Sequence, residues 1–278
     1  MIEQSDNFEK SGLKIDKERV LTYSKLSCPF DCKYCFVEDL NSEQEKSVSY
    51  LSNTQLELLE KLPKEVSLIM LGCDTEFFQS PKESLVILER LSELGKDISV
   101  ITKMGLAPSF IEELKIVDNK LRKHNNLLSF STSLTCTESA KIWEPNLTTP
   151  ERRIETLKNV YENGILTLVA LRPLLPTISD KELKATVEAS KDYCYGYYSG
   201  PLYLKELKEE LVPNNLLNDL KIEQLQPHWM PQGNMFYKIE KSGQMDSLES
   251  ILSGYNKPFF EGAAEANDYF KNKNYEKH

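Results

Sequence analysis

Apolar runs rich in β-branched residues recur along this chain at intervals of roughly thirty to forty-five residues, each followed by a turn and then an amphipathic helical pattern. The runs lie at residues 20–26, 66–71, 98–102, 127–134 and 165–171, with a Tyr-rich run at 193–198. Between them, 53–62, 81–94, 108–120, 150–162 and 180–191 carry helical spacing. Ser80 and Ser179 stand where helix N-caps belong, with Pro81 at a first helical position and Glu83 and Glu182 spaced to close capping boxes. Gly95 and Gly164 stand where two helices should stop. Near-continuous apolar strands are the mark of a parallel sheet covered by helices. Six such units in a row predict a barrel-like or a doubly wound α/β fold. In both, function gathers on loops at the carboxyl ends of the strands.

The chain has 278 residues, enough for a full hydrophobic core in one large domain or two small ones. Its net charge of −9 argues against coating nucleic acid by charge alone, though a local basic groove stays open. No run approaches the roughly 18 apolar residues of a membrane span, so no membrane partner is expected. The first seven residues are polar and acidic, without an export-signal pattern, which predicts a cytoplasmic protein. Six cysteines are too sparse for a disulfide framework, and in that compartment they stay reduced.

Three of the six fall together, directly after the first run, as Cys28-Pro29-Phe30-Asp31-Cys32-Lys33-Tyr34-Cys35-Phe36. Three thiols in a C-x₃-C-x₂-C loop at a strand end suit zinc or an iron–sulfur cluster. Structural zinc needs a fourth ligand, and the histidines, His124, His228 and His278, are far away in sequence. Three ligands without an obvious fourth favour a cubane with one open iron.

This loop, with an aromatic before its last cysteine, resembles the signature of the radical S-adenosylmethionine (radical SAM) enzymes. The resemblance implies a partial (β/α)₆ TIM-type barrel with the loop after its first strand. It implies that Cys28, Cys32 and Cys35 hold a 4Fe–4S cluster, that the open iron binds SAM, and that Tyr34 lies against adenine. It further implies an external electron donor such as a flavodoxin or ferredoxin, and reductive cleavage of SAM to a 5′-deoxyadenosyl radical. Residues 66–192 are similar to one branch, that of spore photoproduct lyase and related DNA-repair photolyase-like proteins. The similarity rests on Asp74-Thr75-Glu76-Phe77-Phe78-Gln79-Ser80-Pro81, Thr102-Lys103, Trp143-Glu144-Pro145 with Pro150-Glu151-Arg152-Arg153, and Arg172-Pro173-Leu174-Leu175-Pro176-Thr177-Ile178-Ser179-Asp180. Phe77 and Ser80 replace prolines of the branch, and Thr177 replaces a glycine.

Lys103, at a strand's carboxyl end, could pair with the SAM carboxylate, or be a solvated loop lysine. Ser131 and Ser133 would share a strand face that could bond SAM ribose or carboxylate, with Thr132 opposite. Arg172 could reach a bound anion. Glu144 and Arg153 could pair with each other or with the cofactor, and Asp74 and Glu76 could bind a ligand or cap a helix. Cys73 is a candidate hydrogen-atom donor or a buried inert thiol, since spore photoproduct lyase uses a cysteine in this general region. Cys136 and Cys194 read as core thiols, and Tyr193, Tyr195, Tyr197 and Tyr198 as an aromatic wall. Residues 1–204 read as the core. Residues 205–278 read as a charged, helical extension that closes the barrel, with a 228–233 loop whose Trp229 and Met230 could contact substrate. Three functions compete: a repair-type lyase on DNA, radical modification of a small molecule, peptide or protein, and a non-catalytic iron–sulfur or zinc binding or sensing protein.

Overall fold

The computed structural model describes residues 7–24, 26–40, 49–230, 233 and 235–273. Its main sheet opens with an antiparallel hairpin, β1 (Leu13–Asp16) and β2 (Arg19–Thr22). From β2 onward every pairing is parallel: β3 (Leu68–Leu71), β4 (Asp97–Thr102), β5 (Leu128–Ser133), β6 (Leu166–Leu171), β7 (Gly196–Ser199) and β11 (Phe259–Phe260). The spatial order β1-β2-β3-β4-β5-β6-β7-β11 follows the chain without a reversal. A doubly wound sheet reverses its order at a switch point; this one does not, which selects the barrel-type alternative. The two ends of the sheet do not pair with each other, so the barrel is partial.

The crossovers are α1 (Asn53–Leu59), α2 (Pro81–Ser92), α3 (Pro108–Lys123), α5 (Pro150–Glu162) and α6 (Asp180–Ser190), with a short α4 (Ala140–Trp143) before α5. Gly95 and Gly164 follow α2 and α5 with φ of 64° and 71°, the left-handed stop that glycine permits. Ser179 caps α6 by accepting from the Glu182 N–H. Ser80 makes no side-chain cap to α2; Glu83 turns away and accepts from the Tyr50 N–H at 3.0 Å. That capping box is absent because Glu83 ties α2 to the segment before α1.

Strand alternation sorts the core. Ile98, Val100, Leu128 and Phe130 pack under Ile111, Leu114 and Val117 of α3. The opposite face of β6 and β7, with Leu166, Leu168, Ala170 and Tyr198, packs against Ala263, Ala266 and Phe270. These last belong to α8 (Ala263–Asn272), which lies on the concave face of the sheet. Asp97, at the start of β4, accepts from Lys271 at 2.8 Å, from Asn267 at 2.8 Å and from the Leu127 N–H at 3.0 Å. The helix therefore sits at the amino ends of the strands, opposite the cysteine loop.

The run after 204 holds α7 (Gln244–Gly254) as well as α8, but it is not only helical. β8 (Leu202–Leu204), β10 (Phe236–Lys241) and β9 (Leu220–Leu225) form a separate antiparallel sheet in that order. β9 alternates half-buried Leu220 and Ile222 with exposed Lys221 and Glu223, so its charges mark a solvent face of a strand and do not make it a helix. Among the described residues no helix is long and apolar enough to cross a membrane.

Candidate active site

Cys28, Cys32 and Cys35 follow β2 at its carboxyl end. Phe30, Cys32 and Tyr34 turn inward and pack with Leu134, Trp143 and Leu157, which fixes the loop's alternate side chains. The Lys33 N–H donates to the Trp143 carbonyl at 3.0 Å, and the Cys35 N–H to the Cys32 carbonyl at 2.9 Å. Burial pushes the Cys32 thiol up to about 11 and Cys35 to about 12. Cys28 adds to both shifts and Cys32 adds to that of Cys35. Among the described residues, no three His, Cys, Asp or Glu side chains are spaced to hold one metal ion. A mononuclear zinc site is therefore not preformed. His228 approaches Asp16 at 3.6 Å, and His278 lies outside the described residues. Three soft donors on one loop, with no fourth, fit a 4Fe–4S cubane that keeps one iron open.

Beneath this loop lies a buried charge network. Glu144 has no exposed side-chain surface and bridges two cations: Oε1 to Lys103 Nζ at 3.0 Å and Oε2 to Arg153 Nη2 at 2.5 Å. The Tyr34 hydroxyl donates to Glu144 Oε1 and accepts from Lys103 Nζ at 2.7 Å. Arg153 also donates to the Ser133 carbonyl at 2.8 Å. Burial alone would raise Glu144; the charges of Lys103 and Arg153 and the Tyr34 bond outweigh it and hold the carboxyl below its usual value. The ammonium of Lys103 also stands 5.0 Å from the Tyr34 ring centre. Glu144 and Arg153 thus pair with each other, and Lys103 is held by the protein. Thr135 joins the group, 3.0 Å from the Tyr34 hydroxyl, and donates to the Arg172 carbonyl at 2.9 Å. No motif in the sequence pointed to Thr135.

On β5, the Ser129, Ser131 and Ser133 hydroxyls are buried without a hydrogen-bond partner of good geometry, although Tyr198 stands beside Ser131. Thr132, on the opposite strand face, is equally unpartnered, so orphan status alone does not mark a ligand. Ser129, Ser131 and Ser133 share one face of β5, and Ser133 stands at its carboxyl end, where its carbonyl accepts from Arg153. Glu76 is fully used by the protein, accepting from the Phe78 and Lys103 N–H groups and from the Thr102 hydroxyl at 2.7–3.0 Å. Asp74 accepts from the Ser24 and Thr75 N–H groups, each at 2.8 Å.

Cys73 follows β3, half-buried, with its thiol 3.5 Å from the Met70 carbonyl. Burial first, and Asp74 in part, push this thiol up to about 12. Arg172 follows β6, and its guanidinium carbon lies 5.6 Å from the Trp229 ring centre. Trp229 contacts Phe36 and Tyr203 edge-on at 5.7 and 5.6 Å, and its carbonyl accepts from the Tyr23 hydroxyl at 2.8 Å. Trp229, named from its loop as a substrate-contact candidate, joins the small sheet to the mouth; Pro231 and Gln232 of that loop lie outside the described residues. Cys136 and Cys194 are buried in the core, as is Tyr197, which bonds Ser190 at 2.9 Å.

The radical SAM superfamily model matches residues 26–189, more than half of the chain. The chain belongs to the radical SAM superfamily. The cofactors of this superfamily are a 4Fe–4S cluster and SAM, in keeping with the three-thiol loop. No curated protein matches the chain. Among solved structures, Streptococcus suis SuiB bound to S-adenosylmethionine is similar with a TM-score of 0.56 and 14% identity, over 93% of this chain and 53% of SuiB. Spore photoproduct lyase complexed with dinucleoside spore photoproduct gives 0.55 and 10%, over 84% and 73%. The methyltransferase TsrM from Kitasatospora setae gives 0.54 and 14%, over 94% and 56%. The chain spans about half the length of SuiB and TsrM. At these identities the likeness is one of fold.

Proposed function

We propose that the chain is an enzyme that reductively cleaves SAM and passes the radical to a substrate at the barrel mouth. The observation that carries this reading is the loop of Cys28, Cys32 and Cys35 at the carboxyl end of β2, braced from below by the Tyr34–Glu144–Lys103 network. These three thiolates would hold the cluster, which supplies the electron for SAM cleavage after reduction by an external donor such as a flavodoxin or ferredoxin. In this reading Lys103, Tyr34, Ser131 and Ser133 would bind SAM. Burial of Phe30, Cys32 and Tyr34 keeps water from the inner side of the loop.

Cys73 is proposed as the hydrogen-atom donor. Its raised pKa keeps the thiol protonated at neutral pH, and a donor needs an intact S–H bond. That bond would break as a substrate C–H bond forms, leaving a thiyl radical on Cys73.

The substrate reading favoured by the charge balance is a small molecule or peptide. SuiB is also solved with precursor peptide SuiA, TsrM with tryptophan and spore photoproduct lyase with a dinucleoside photoproduct, so the fold accommodates each class. Repair of DNA is the second reading, supported by the resemblance of residues 66–192 to the lyase branch and opposed by the net charge of −9.

The test is anaerobic. Purified protein should carry about four irons per chain with matching sulfide, and with dithionite and SAM it should form 5′-deoxyadenosine. Cys32→Ala should lose all three. Stoichiometric zinc without labile sulfide would overturn the reading.

A further inference from the structure

Two cations divide the barrel mouth. Lys103 is the cation felt by Cys32 and Cys35, and it is already bound by Glu144 and Tyr34. Arg172 attends the other half, where its charge acts on Cys73, Tyr23, Tyr198 and Tyr203. Its guanidinium lies over Gly200, close enough that a Cβ there would stand 2.9 Å from Nε. Trp229 stacks against it at 5.6 Å. The fork is therefore fixed in place by a glycine and an indole. No described residue gives it a hydrogen bond or an ion pair, although it is half-buried.

A guanidinium held in position by packing, with its N–H fork unfilled, is preorganised for a planar anion. The walls name the rest of the ligand. Trp229, Tyr203 and Phe36 are in edge contact around the same point, and the Tyr23 hydroxyl holds the Trp229 backbone there. Aromatic walls suit an apolar body attached to the anion. A nucleic-acid backbone would bring further phosphates toward Asp74 and a chain of net charge −9, which a single guanidinium does not offset.

We propose that Arg172 and Trp229 form the substrate-recognition site of this chain, and that it takes a carboxylate carried on an apolar or aromatic body. This rests on the radical SAM reading above and adds the substrate class to it. Arg172 follows β6 and Cys73 follows β3, both at the carboxyl ends of the strands with the cysteine loop, so a substrate anchored by its carboxylate would present its carbon skeleton at that same end. SAM also carries a carboxylate, and the test separates the two sources.

The experiment is calorimetric titration of the anaerobic, cluster-loaded protein with N-acetyl-L-phenylalanine and with its neutral amide, in the presence of SAM. A charge-assisted fork should favour the acid over the amide by about tenfold or more. Arg172→Gln should erase that preference while the SAM Kd moves by less than about threefold. Arg172→Lys, which keeps the charge and loses the fork, should retain only part of it. Equal binding of acid and amide, or no binding of either at millimolar concentration, overturns the proposal. So does a SAM Kd that rises in Arg172→Gln more than the acid's Kd, which would assign the guanidinium to the cofactor. Displacement of the acid by the dinucleotide dTpdT at lower concentration than by free phenylalanine would also overturn it, in favour of phosphate. Iron and sulfide content are measured on the same samples; their absence from the wild type would sink the cofactor reading itself, a separate failure.

Discussion

Glu144 is a carboxylate withdrawn from water with Lys103 and Arg153 upon it, and this pairing decides what its removal costs. Glu144→Gln leaves two cations facing a neutral amide, and breaking a buried pair from one side costs about 3–5 kcal/mol. Cys73→Ala removes one sulfur and should cost about 1 kcal/mol. Urea unfolding of the two apo-variants measures this contrast; equal losses would show that the Glu144 network is slack. The pH dependence has a defined sign. The folded-state pKa of Glu144 is lowered, so its stabilisation is present above the usual Glu value of 4.5 and lost as pH falls through the folded value. Wild-type stability should drop with acid in that window, and Glu144→Gln should drop less steeply there. The sequence made the Glu144–Arg153 pair legible as one of two alternatives, because the residues sit nine positions apart around one helix start. It did not reveal the third member, since Lys103 reaches Glu144 only when β4 and the segment after α4 are brought to the same end of the sheet.

At the scale of elements, the parallel strands and their helices were readable because several strands are near-continuous apolar runs and each helix is marked by Pro, Ser or Gly. The small sheet was not, because β9 and β10 mix Lys and Glu with apolar residues and are only half-buried. β1 was missed for a similar reason: the hairpin turns at Lys17, a non-glycine residue at φ 56°, with no Asn-Gly signal. α8 was read as part of a helical tail, but its anchor, Asp97, lies 170 residues from Asn267 and carries no local signature. Asp97→Ala should release α8 from the floor of the barrel, leaving Lys271 and Asn267 without their acceptor. Hydrogen exchange should then rise first in residues 263–272 and at Leu127, whose N–H also loses its partner, while α3 stays protected. Protection unchanged in α8 would mean that Phe270 and its apolar neighbours hold the helix alone. Tyr23→Phe tests the opposite end: it removes the bond to the Trp229 carbonyl and should cost about 1 kcal/mol, with faster exchange around residue 229. No change there would show that the ring contacts suffice.

For the molecule as a whole, charge decides between the two substrate readings. The net charge is −9, and at the mouth Lys103 and Arg153 are already spent on Glu144. Arg172 carries no ion pair to a described residue, and Lys33 of the cysteine loop is exposed and only loosely paired with Glu210 at 3.9 Å. Phosphate neutralisation releases counterions, and the logarithm of the binding constant falls with the logarithm of salt by about 0.9 for each phosphate contacted. One or two available cations predict a slope of about −1 to −2, against the slopes of five or more expected for a protein that neutralises six to ten phosphates. The affinity for undamaged duplex DNA should accordingly be weaker than the roughly 10⁻⁴ to 10⁻⁶ M of nonspecific binders at physiological salt. Fluorescence anisotropy with a labelled duplex, run from 50 to 200 mM salt, measures both quantities. A slope of about −1 to −2 with weak binding leaves the mouth to small acids or peptides. A steep slope with micromolar binding would require a basic groove away from Arg172, and would move repair of DNA ahead of the carboxylate reading, because a surface that gathers several phosphates has no use in recognising a single carboxylate.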